Sequence, residues 1–183
     1  MQRREVIRFL GSALALPFLP RSADAAIALG ESLHRRIADV PFRTLNREQQ
    51  ALVTMLAEMI IPETDTPGAT SVKVPELIDL ILTEWASDDE RAAFLAGLAD
   101  IDARAAALGN PRFVDMQPAG RLELFTTLDV KRTDKTGAGH AVVRLKALTV
   151  YGYFTSRKVQ QDVLKTRMFF NGYDGNVPFT PAV

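Results

Sequence analysis

Apolar residues recur at helical rather than strand spacing along most of this chain. After Asn46, the run "REQQALVTMLAEMII" places Leu52, Met55, Leu56, Met59 and Ile60 on one stripe, with Arg47, Glu48, Gln50 and Glu58 mostly opposite. That pattern predicts a helix with Asn46 as its N-cap and Pro62 as its stop. Pro75 suits the first turn of a second helix, whose predicted buried face is Leu77, Ile78, Ile81, Leu82 and Trp85. Ser87 and Glu90 form a capping box that opens a third helix through Phe94, Leu95, Leu98, Ile101 and Leu108, with Gly109 as its terminator. Pro118 opens a fourth on Leu122, Leu124, Phe125 and Leu128. A fifth runs from about Gly139 to Phe154 on Val142, Val143, Leu145, Leu148 and Tyr151. No run alternates with period two, so the expected fold is all-α: one compact domain of about five to seven helices. From Phe169 the tail "FFNGYDGNVPFTPAV" is broken by Gly172, Gly175, Pro178 and Pro181 and predicts an irregular C-terminal arm.

A length of 183 residues suits one domain with a real core. With 22 basic and 22 acidic residues the formal net charge is zero, which leaves no electrostatic footprint for nucleic acid. Cysteine is absent, which excludes disulfides, thiolate nucleophiles, Cys-ligated iron–sulfur clusters and C-x-x-C-H haem attachment in this chain. His34 and His140 are the two imidazoles, far apart and without zinc-site spacing. Glu31 and His34 make a single E-x-x-H, whereas a di-iron bundle site needs two copies and two further glutamates. His34 is therefore expected to be a solvated residue beside the leader. There is no G-x-S-x-G elbow, P-loop or dinucleotide fingerprint, and "GAGH" from Gly137 to His140 has no βαβ context. No catalytic, cofactor-binding or metal-binding residue is assigned to this chain.

The N-terminus looks like an address. In "MQRREVIRFLGSALALPFLPRSADAA", Arg3 and Arg4 precede a modest apolar stretch from Phe9 to Leu19, too short to span a bilayer. Ala23-Asp24-Ala25 offers the small-x-small pattern of a signal peptidase site, with cleavage expected after Ala25. Paired arginines before a weak apolar region point to the twin-arginine (Tat) route, which exports folded proteins to the periplasm. The expected organisation is a signal peptide over residues 1–25, a linker or N-terminal helix over 26–44, and a helical domain over 45–183.

Two stretches remain as candidates for recognition. In "IIPETDTPGA", Pro62 ends the helix, Asp65 and Thr66 are suited to bonding nearby backbone N–H groups, and Pro67-Gly68 is a pairing that type II turns favour. Glu63 and Asp65 fall short of a calcium loop, which requires more oxygen ligands at set spacing. A rigid corner fits better, with Pro62, Glu63, Asp65, Thr66, Pro67 and Gly68 as partner-contact candidates. "YGYFTS", from Tyr151 to Ser156, reads mainly as core, while its Tyr153 and Phe154 are kept as aromatic partner-contact candidates.

The leader "RREVIRFLG", the corner "IIPETDTPGA" followed by "VPELIDLIL", and the late "LTVYGYFTS" together resemble the gluconate 2-dehydrogenase subunit 3 family, in the same order over most of the chain. The resemblance implies a non-catalytic small subunit that partners a large flavoprotein of the glucose–methanol–choline oxidoreductase type. FAD would then sit in the large subunit, and haem c in a cytochrome subunit where one is present. It also implies an escort role, in which one Tat address carries a folded, flavin-loaded partner through the Tat translocase. The competing reading is a stand-alone exported enzyme or binding module for a small sugar-like ligand.

Overall fold

The computed structural model describes residues 22–37, 41–130 and 136–164. Arg3, Arg4 and the arm expected from Phe169 lie outside the described residues. Among the described residues there are six α-helices: α1 (Ala23–Arg36), α2 (Arg47–Ile60), α3 (Val74–Glu84), α4 (Asp88–Ala107), α5 (Pro118–Val130) and α6 (Gly137–Thr155). Short 3₁₀ turns at Thr70–Val72 and Phe113–Asp115 and one π-helical turn at Val159–Val163 complete the order. Among the described residues there is no strand, and the fold is all-α.

The helix starts follow their local chemistry. Asn46 accepts from the Gln49 amide at 2.9 Å while the Gln49 side chain accepts from the Asn46 amide at 3.0 Å, and Ser87 and Glu90 form the same reciprocal box at α4. Gly109, at φ +82°, follows the end of α4 in a left-handed conformation that a β-carbon would disfavour. By contrast, Thr136 gives α6 no side-chain cap, and Asp100 of α4 does that work from across the interface, accepting from the Ala138 amide at 2.8 Å.

The long α6 is the axis of the domain and packs against α1, α2, α3, α4 and α5. Its Ala141, Val142, Leu145, Leu148 and Tyr151 are buried, and they meet Leu52 and Leu56 of α2, Leu77, Ile78 and Ile81 of α3, and Phe94, Leu98 and Ile101 of α4 in one continuous core. Burying such a side chain is worth about 1.5–3 kcal/mol, so this core supplies most of the favourable free energy of the fold.

Several edge residues depart from the stripes expected of them. Trp85, Leu108 and Leu122 are exposed, at 40%, 61% and 60%. Trp85 and Leu108 are the C-cap residues of α3 and α4, where the chain has already left the helical path that would turn them inward. Leu122 lies on the far side of α5 from the buried Leu124 and Leu128. On α2 the buried set is Leu52, Val53, Leu56 and Ala57, which leaves Met55 and Met59 half-exposed at the edge of the stripe.

Two further contacts tie the N-terminal part to this core. Asp79 of α3, at 3% exposure, accepts backbone N–H bonds from Arg43 (2.8 Å), Thr44 (3.0 Å) and Leu45 (2.7 Å), so one buried carboxylate folds the strap ahead of α2 around itself. His34 is not a solvated residue. It is half-buried on α1, with its Nε2 2.8 Å from the Gly152 carbonyl of α6, a geometry that requires the proton on Nε2. The boundary drawn at residue 25 falls inside α1.

Candidate partner interface

The corner between α2 and the Thr70–Val72 turn is built by a residue the sequence reading left on a polar helix face. The Glu58 carboxylate accepts from the Glu63 amide (2.7 Å), the Thr70 amide (3.2 Å) and the Thr70 hydroxyl (2.7 Å), and so spans the loop from its first residues to its last. The Ala69 amide donates to the Ile61 carbonyl at 2.9 Å and the Thr64 amide to the Thr66 carbonyl at 3.0 Å, which closes the loop on itself. Burial raises the Glu58 carboxyl, but the bonds from the Thr70 hydroxyl and the two amides together outweigh it and hold the group below the ordinary carboxylate range.

The expected roles of Asp65 and Thr66 are corrected accordingly. The Asp65 carboxylate accepts from the Thr64 hydroxyl at 3.0 Å, and the Thr66 amide reaches that same hydroxyl at 3.4 Å. The backbone of the corner is held by Glu58. Nor is Gly68 the left-handed residue of a type II turn, since the positive φ values among the described residues belong to Lys73, Gly109 and Gly137. Gly68 is required by space: it is buried, and a β-carbon there would run into the Glu58 carboxylate and come within 2.7 Å of the Glu63 amide.

With its backbone satisfied internally, the corner presents side chains outward. Pro62, Glu63, Thr64 and Asp65 are exposed, and Thr66 and Pro67 are half-buried. Tyr153 and Phe154 are a different case. Each is 4% exposed, and their rings meet edge-to-face with centroids 5.2 Å apart, so they pack into this chain's own core and are removed from the contact surface. Their helix end is finished by the Ser156 hydroxyl donating to the Tyr153 carbonyl at 2.8 Å and by the Gln160 amide donating to the Phe154 carbonyl. Of the expected signal residues, Ala23 and Ala25 fall in the first turn of α1.

Beside the corner runs an open groove of about 840 Å³ that sequence reasoning missed. Its floor is the outer face of α2, with Ala51, Met55 and Met59, and its walls include Phe42, Pro75 and Pro118. Pro62, Glu58 and Thr70 belong to both corner and groove, so the two form one continuous face. Arg121 of α5 lays its guanidinium against the Met55 thioether on the rim. The available signal was the pair Met55 and Met59, four residues apart at the margin of the α2 stripe. Methionine is unbranched and adapts its shape, which suits a surface that another chain covers.

Among the described residues no group of three or more His, Cys, Asp or Glu side chains could hold a metal ion. No helix of the described residues is long and apolar enough to cross a membrane. A family model described as Gluconate 2-dehydrogenase subunit 3 matches residues 47–172, which takes in the corner, the groove-lining part of α2 and all of α6. No curated protein and no solved structure matches the chain.

Proposed function

The chain belongs to the gluconate 2-dehydrogenase subunit 3 family, and we propose that it is the non-catalytic small subunit of a periplasmic flavoprotein dehydrogenase complex, which it escorts through Tat export and then stabilises. The family name places it among the subunits of a dehydrogenase. In this reading FAD resides in a large subunit of the glucose–methanol–choline type, and haem c in a cytochrome subunit where the complex has one. The observation that carries the reading is the continuous face made by the corner and the methionine-floored groove. A loop whose backbone is already pinned by Glu58 loses little entropy when a partner covers it. An open trough lined by Phe42, Met55, Met59, Pro62, Pro75 and Pro118 suits the side chains of a protein surface better than a small polar sugar, which needs several convergent hydrogen-bonding groups.

The test separates docking from stability. Asp65→Ala combined with Thr66→Ala removes one exposed and one half-buried polar side chain while leaving the Glu58 bonds intact, so the isolated subunit keeps its melting temperature and its affinity for the flavoprotein falls. Unchanged affinity retires the docking role of the corner. The escort role is tested by Arg3→Lys with Arg4→Lys: both this chain and the flavoprotein then remain in the cytoplasm, and arrival of both in the periplasm overturns it.

A further inference from the structure

We infer that the bond between Ala25 and Ala26 is closed to processing in the folded chain, so that the exported subunit keeps residues 22–25 as the cap and first turn of α1. The inference rests on the leader reading for the existence of a processing step, and on the described residues of α1 for its outcome.

Ala23-Asp24-Ala25 has the small-x-small pattern that signal peptidases accept, but such an enzyme takes its substrate as an extended strand, and here the residues are helical. Ser22 is the N-cap, its hydroxyl accepting from the Ala25 amide at 3.3 Å and its carbonyl from the Ala26 amide at 3.0 Å. On the far side of the bond, Ala26 is 4% exposed and its carbonyl accepts from the Tyr151 hydroxyl at 3.0 Å. Tyr151 is wholly buried in α6, and burial raises its phenol, so the group stays a donor.

The hold continues along one face of α1. Gly30 lies so close to α6 that a β-carbon would overlap the Thr155 side chain, and His34 reaches the Gly152 carbonyl at 2.8 Å. Ala26, Gly30 and His34 are spaced four residues apart, which is the stripe that faces a neighbouring helix. Extending the chain through Ala26 therefore breaks the first turn of α1 and the hydrogen bond from the Tyr151 hydroxyl to the Ala26 carbonyl. Cutting there also leaves a new ammonium at the positive end of the α1 dipole, beside a buried residue. Helix ends alone fray readily, so the tie from Tyr151 is what distinguishes this bond from an ordinary exposed terminus.

The test uses the full chain and purified signal peptidase, with intact mass and N-terminal sequencing as readouts. Folded wild-type protein resists cutting at Ala25. Gly30→Val, which drives α1 off α6, and the milder Tyr151→Phe are cut there on the order of five- to tenfold faster, because proteolysis follows the population of the open form. Helical circular dichroism confirms that each variant keeps α2 to α6. Wild-type protein cut at Ala25 as fast as the variants, or variants as resistant as wild type, overturns the inference. Chain purified from the periplasm is expected to retain Ser22 to Ala25, and an N-terminus at Ala26 overturns it as well. Retention in the cytoplasm would instead retire the leader reading, and the peptidase comparison still decides the fate of the bond.

Discussion

Gly68 and Glu58 occupy the same small space: a β-carbon on the glycine would run into the glutamate carboxylate that holds the corner together. The shape of the loop thus depends on a long acidic side chain from α2 and on the absence of any side chain ten residues later.

Gly68→Ala is accordingly expected to displace Glu58 rather than stiffen the loop. The loss is about 1–3 kcal/mol, as for other overpacked sites, and it shows as a lower melting temperature of the isolated subunit. Affinity for the flavoprotein falls with it, since the corner loses its shape. An alanine variant as stable as wild type would mean that the carboxylate has room to move aside.

Glu58 also makes the corner sensitive to acid. Its folded-state carboxyl lies below the ordinary value of 4.5, so its contribution is fully present above that pH and is lost as pH falls through the folded value. Glu58→Gln keeps the side-chain shape without the charge and costs about 1 kcal/mol at neutral pH, because water reaches part of the corner. Melting temperatures of the two proteins converge as pH drops below about 4.5. Parallel curves over that range would remove Glu58 titration from the acid response.

His34 works in a higher window. Burial lowers its pKa from 6.5, while its bond to the Gly152 carbonyl acts in the opposite direction. The unfolded chain therefore takes up a proton before the folded one does. Stability from this site is present above about pH 6.5 and declines as pH falls from there toward the folded value. His34→Gln retains a donor for Gly152 and does not titrate, so its melting temperature falls less than that of wild type between about pH 7 and 5.5. Equal slopes would show that α1 docking is indifferent to this proton.

Asp79→Asn tests the buried carboxylate that gathers the amides of Arg43, Thr44 and Leu45. An amide group in its place turns a donor toward donors and removes the charge, which is expected to cost about 2–4 kcal/mol. For a chain of this size that lowers the melting temperature on the order of 10 °C, measured by calorimetry. Phe42 sits on the same strap and lines the groove, so partner affinity declines alongside.

The sequence by itself determined the all-α class and the positions of α2 to α6, because those features are local. The capping boxes at Asn46 and Ser87, the prolines at 75 and 118 and the 3.6-residue stripe each act within one or two turns. The corner was legible as a corner for the same reason, from Pro62 and Pro67. What held it was not, since Glu58 occupies a position that helical spacing assigns to solvent, and its partners become neighbours only when the loop folds back. Asp79 and His34 were missed alike: one is a carboxylate inside an apolar run and the other a lone imidazole, and each acquires its role from backbone 34 or more residues away. Tertiary structure also decided that Tyr153 and Phe154 face inward and that Met55 and Met59 face a groove, because a stripe gives the direction of a helix face while the neighbouring helices set how much of it they cover.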